Sequence, residues 1–93
     1  MIVKTAEITL YAPFVHSLKE KRMVVQSLLM RVRQKFPVSA AEVDSQDVHQ
    51  RIVLGIAVVS DSAVVADGVI QKAAAFLETG SEAEVTDVII ETR

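Results

Sequence analysis

The chain has no cysteine, so disulfides and thiolate-held zinc or iron–sulfur centres are excluded. It also lacks a glycine-rich phosphate loop, a nucleophile elbow and any Ser–His–Asp arrangement in a recognisable context, which removes the commonest signatures of phosphoryl and acyl transfer. No apolar run approaches the roughly 20 residues needed to span a bilayer. Lys4 interrupts the first apolar segment, which alternates instead of running on, so a secretory signal is not expected and a cytoplasmic location is. Aromatic residues make up only 4% of the chain, and none falls in its most apolar stretch, RIVLGIAVVS. A base-stacking platform on that stretch, as RNA-recognition motifs use, is therefore not expected.

What is present is a short and apolar chain. At 93 residues there is room for one core and one domain, spanning 1–93. The apolar share of 51% and mean hydropathy of +0.35 exclude disorder and leave apolar surface for a partner, a second copy of the chain included.

From Ile2 to Tyr11 the residues alternate, with Ile2, Ala6, Ile8 and Leu10 on one side and Lys4 as the exception; this predicts a half-buried strand. Ala12-Pro13 ends it. His16 to Phe36 then reads as one amphipathic helix, with Ser17 as N-cap and Glu20 three residues on as its capping-box partner. Leu18, Val25, Leu29, Val32 and Phe36, with Leu28 beside them, form the stripe to be buried. Pro37 stops the helix, since the residue before a proline is pushed out of the α region. Val38 to Val43 reads as a second strand, Asp44 to Gln50 as a connection, and Arg51 to Ser60, apolar at both parities, as a central strand shielded on both faces. Ser60, Asp61 and Ser62 offer caps for a second helix that buries Val65, Val69, Ile70, Ala73, Ala74, Phe76 and Leu77 and stops near Gly80. Glu84 to Thr92 is the last strand. The order is β-α-β-β-α-β, an α+β arrangement.

The charge is unevenly placed. Lys19, Lys21, Arg22, Arg31, Arg33 and Lys35 are opposed within the first helix only by Glu20. That segment carries +5 and the remainder −7, for a net charge of −2. These six cations are assigned to the flanks and outer face of the helix, as a surface for RNA or another polyanion.

The runs HSLKEKR, RVRQKF, VSAAEVDSQDVHQR and VLGIAVVS, in this order and over nearly the whole chain, resemble the YlxP-like family of small bacterial proteins. The sequence departs from the usual pattern at Lys4 and at Ala41, where a larger aliphatic is common. The resemblance implies a ferredoxin-like two-layer sandwich, with an antiparallel sheet of order 4-1-3-2 and both helices on one face. It also implies a role around the ribosome, since such proteins tend to be encoded near translation factors. In that geometry the start of the first helix and the second connection share an edge. His16, Ser17, Glu42, Asp47, His49, Gln50 and Arg51 thus form a second candidate site for an anion, with Glu42 expected to pair with Arg51 or with a cation of the first helix. A metal site is not expected, because the two histidines lack a compact ligand spacing. No cofactor is implied.

Catalysis is not expected. Acylphosphatase, a similarly sized enzyme of this fold, carries a glycine-bearing anion loop after its first strand, and Ala12-Pro13-Phe14-Val15 takes that place here. Asp44 and Asp47 are loop carboxylates of a commonplace kind. The expectation is a non-enzymatic binding protein, ribosome- or RNA-associated through its basic helix, with no membrane partner and no sequence-specific DNA binding. The alternative is a structural or regulatory homodimerisation module that binds an acidic protein or small anion; a homodimer through the open sheet face is expected in either case, since it is compatible with RNA binding.

Overall fold

A computed structural model describes all residues, 1–93. The elements are β1 (Ile2–Tyr11), α1 (Leu18–Lys35), β2 (Ser39–Asp44), β3 (Arg51–Ser60), α2 (Ala63–Thr79) and β4 (Glu84–Thr92). They form one four-stranded sheet of order β2-β3-β1-β4, with every pairing antiparallel. This is a ferredoxin-like α+β sandwich. The limits of β3 and β4 coincide with the sequence expectation, and β2 starts one residue later than Val38.

The alternation of β1 explains which face meets the helices. Ala6, Ile8 and Leu10 are buried and lie opposite Ile56, Leu54 and Ile52 of β3, which are buried too. Cross-strand partners point to the same side of a sheet, so these six make the sheet's half of the core. The other half comes from Val25, Leu28, Leu29 and Val32 of α1 and Ala66, Ile70, Ala73, Ala74 and Leu77 of α2. Burial of such side chains, at about 25 cal/mol per Å² of apolar area, is what holds the two layers together. Val65 departs from the expected stripe of α2 and is exposed, as it precedes Ala66 on the helix and points away from the sheet.

The helix-free face of β3 is less uniform than its composition suggests. Val53, on the helix-free side, is almost fully buried, but Val59 on the same side is 62% exposed. Both-parity hydrophobicity therefore reports full shielding only for part of the strand. Two irregularities re-aim the edges, between Thr9 and Leu10 in the β1–β4 ladder and between Glu42 and Asp44 in the β2–β3 ladder. At the second, Val43 is the unpaired residue and folds over Gly55, where an added Cβ would meet its Cγ1 at 2.7 Å. Glycine is needed there for close approach.

Candidate functional site

The first turn of α1 is fixed by a modified capping box. Ser17 Oγ accepts from the Glu20 amide at 3.1 Å, and Glu20 Oε2 accepts from the His16 amide at 3.4 Å, one residue before the usual return bond. The helix N-terminus is thus already supplied with two acceptors from its own chain.

Lys21 overturns its assignment to the outer face. It is only 1% exposed and takes its place in the buried stripe with Val25, Leu28 and Val32, at spacings of four, three and four. The cause lies in β2. Glu42 pairs with Leu54 in the ladder and therefore faces the helix layer, as Ala40 does opposite Ile56. Lys21 Nζ sits 3.0 Å from Glu42 Oε2, a buried oxygen with no hydrogen-bond donor of good geometry, and also donates to the Ser45 carbonyl. Glu42 thus pairs with a cation of the helix and not with Arg51. A carboxylate turned into the core layer needs a countercharge, and the helix delivers one. Both residues are exceptions in apolar patterns, Lys21 in the helical one and Glu42 in the alternating one, and those two exceptions are the signal that identifies the pair. Lys4 obeys the same rule, since it breaks the β1 alternation and meets Asp67 of α2 at 3.2 Å.

The second candidate set is therefore mainly structural. Ser45, at φ 59°, uses its amide, its carbonyl and its hydroxyl to hold the loop. Its amide donates to Asp44 Oδ1 at 2.7 Å, its carbonyl takes Lys21 and the Val48 amide, and its hydroxyl accepts from Arg51. Gln50 Nε2 donates to the carbonyls of Pro13 and Val15, at 3.2 and 3.3 Å, and ties the two connections together. His16, Asp47 and His49 are exposed, and their side chains form no hydrogen bond or ion pair. No three His, Asp or Glu side chains gather so as to hold a metal ion.

The remaining five cations of α1 have no carboxylate partner. With the Lys21 stripe turned inward, a rotation of about 100° per residue places Met23, Ser27, Met30 and Gln34 on the outermost crest. Met23 and Met30 are 64% and 54% exposed. Arg22 and Arg33 fall on the flank towards β2, where Arg33 donates to the Ala40 carbonyl of that edge strand, and Lys19 stands on the crest itself, one turn before Met23. Arg31 and Lys35 fall on the flank towards α2. Lys35 Nζ lies 4.9 Å over the Phe76 ring, which itself meets Phe36 edge-to-face at 5.7 Å, and Arg31 Nε donates back to Ser27 O at 3.3 Å. The basic helix is thus two cationic rows on either side of a methionine-bearing ridge that is uncharged from Met23 to Gln34 and headed by Lys19. None of Lys19, Arg22, Arg31, Arg33 or Lys35 forms an ion pair. Lys19, Arg22 and Lys35 make no hydrogen bond within the protein, and of these three only Lys35 is engaged otherwise, over the Phe76 ring.

Comparison with known proteins gives a family without an assigned activity. Residues 3–90 match the model of a protein of unknown function, DUF503. The chain is 46% identical, over 70 residues, to the uncharacterized protein YlxP of Bacillus subtilis (strain 168), an alignment that covers 75% of this chain and 76% of that protein.

Proposed function

The chain belongs to the DUF503 family, and from that premise we propose that it is a non-enzymatic RNA-binding protein, a ribosome-associated accessory factor that grips the phosphate backbone through α1. One observation carries the reading: five cations stand along a single helix without a carboxylate partner, on a chain whose net charge is −2. Phosphate contacts release condensed counterions, so such a surface binds strongly at low salt and weakly at high salt. The surrounding acidity confines the attraction to the helix.

The test is cosedimentation with ribosomal particles across a salt series, comparing the wild type with a Lys19→Gln, Arg22→Gln, Arg31→Gln variant. These three are chosen because Arg33 and Lys35 also hold the scaffold, through Ala40 and Phe76. The variant is expected to bind more weakly and to lose about two units of the log–log salt slope, at roughly 0.7–0.9 per phosphate contact. Lys72→Gln on α2 is the control and leaves binding unchanged. Unaltered cosedimentation of the triple variant removes the RNA reading.

A second reading rests on the helix-free sheet face, where Tyr11, Val43, Val59 and Ile89 are exposed. Two copies packed through this face form an isologous dimer. Light scattering at high micromolar concentration decides it, and a monomer there discards the dimer.

A further inference from the structure

The ridge of α1 continues beyond the helix. Met23 and Ser27 belong to two adjoining open grooves, one running along the helix past Met30 and the other, of about 330 Å³, lying between α1 and the segment that joins α2 to β4. The second groove is lined by Phe14, Met23, Ser27, Arg31, Ser81 and Glu82, with Gly80 beneath them. Phe14 stands apart from the core and is 37% exposed, although Val15 next to it is fully buried. An aromatic ring, a thioether and a guanidinium converge there on one opening at the edge of a cationic helix.

We infer that this groove receives one unpaired nucleobase of a single-stranded RNA. The inference rests on the RNA reading above and deepens it, because phosphate contacts alone do not account for the groove. Its chemistry suits a base and disfavours a phosphate. Glu82 sets a negative charge in the lining, makes no ion pair with Arg31, and repels a phosphate while accepting from a base amino or imino group. Ser81 Oγ accepts from the Ala83 amide at 3.0 Å, which leaves its hydroxyl proton to be donated. Ser27 adds a second hydroxyl. Phe14 and the Arg31 guanidinium supply the flat surfaces on which unstacked bases rest, and Met23 supplies a polarizable sulfur for the ring edge. Arg22, across the ridge, and Lys19, at its head, remain for the backbone that leads to the base. Recognition of an unpaired base thus sits on the helix side of this fold, and not on the sheet that lacks aromatics.

Fluorescence anisotropy at low salt tests the inference with three labelled probes: a short single-stranded RNA of mixed sequence, its abasic analogue, and the same RNA annealed to its complement. The wild type is expected to bind the single strand roughly ten-fold more tightly than the abasic chain, the scale of one stacked base. Phe14→Leu is expected to erase that preference and Phe14→Tyr to keep it, and neither changes affinity for the abasic chain. Phe14 lies outside the core, so both variants retain the fold. Equal affinity for the single strand and its abasic analogue, tighter binding of the duplex, or a preference that survives Phe14→Leu overturns the base site and leaves the backbone reading standing. Failure to bind all three probes, including the case in which an acidic amphipathic peptide binds instead, overturns both.

Discussion

Helices α1 and α2 occupy equivalent places in the two β-α-β halves. Each starts from a serine whose hydroxyl accepts the amide three residues on, Ser17 from Glu20 and Ser62 from Val65, and each buries a fully enclosed leucine, Leu28 and Leu77. Their exteriors differ entirely. α1 presents five cations and one acid, Lys21 being buried, whereas α2 carries Lys72 against Asp67 and Glu78 and leaves Val64 and Val65 exposed. Equivalent packing beneath unlike surfaces shows that the core does not dictate the charge of α1. The difference therefore reports on what the outside of that helix meets.

The sharpest way to break the equivalence is in the core. Leu28→Ala and Leu77→Ala are each expected to lower stability by about 3 kcal/mol, since both remove a fully buried side chain and leave a cavity. Urea unfolding followed by circular dichroism measures both, and values that differ two-fold or more show that the helices do not share the core evenly.

The next effect belongs to α1 alone. Lys21→Ala strands Glu42 in the helix layer and is expected to lower stability by about 2–3 kcal/mol, somewhat under the range for a fully buried pair because the Glu42 side chain keeps 17% exposure. Lys21→Met combined with Glu42→Leu recovers most of that loss, because two apolar side chains need no countercharge. Arg22→Ala, one residue away but exposed, is expected to leave urea unfolding nearly unchanged and, on the proposed function, to weaken RNA binding.

Smaller again are the caps. Ser17→Ala and Ser62→Ala each remove one acceptor at a helix start and are expected to cost about 1 kcal/mol. The return bond from the His16 amide to Glu20 Oε2 does not involve the Ser17 hydroxyl, so the two losses are expected to be similar. A loss at Ser17 that exceeds the one at Ser62 two-fold shows that the two bonds of the box are coupled. The smallest change is a gain. An added Cβ at Gly68 of α2 meets no atom within 4 Å, so Gly68→Ala is expected to raise stability by about 0.5–1 kcal/mol through the entropy of the unfolded chain. A drop in the urea midpoint on that substitution contradicts the open space around Gly68.

The elements were legible because they rest on local signals. Alternation marked Ile2 to Tyr11, Pro37 ended α1, and Ser17 and Ser62 marked the helix starts. The site was legible only in part. Lys19, Arg22, Arg31, Arg33 and Lys35 stand on the outer side and flanks of α1 without acidic partners, but Lys21 is buried, although a lysine among basic neighbours reads as solvated. Its true position follows from the parity of Glu42, a residue 21 positions later whose orientation depends on strand pairing. For a similar reason the methionine ridge is not legible. Met23 and Met30 have the hydrophobicity of core residues, and only the direction in which the helix is docked shows that they point away from it.

Sequence alone determined the alphabet of this molecule: four strands, two serine-started helices, and an excess of positive charge confined to one of them. Those features follow from interactions among residues within a few positions of each other, and chain periodicity records them directly. Tertiary structure alone decided which lysine is withdrawn from the surface, which methionines crown the helix, and how Phe14, Arg31 and Glu82 come to line one groove. Those three residues lie far apart along the chain, and only the docking of α1 beside the segment between α2 and β4 brings them within reach of a single ligand.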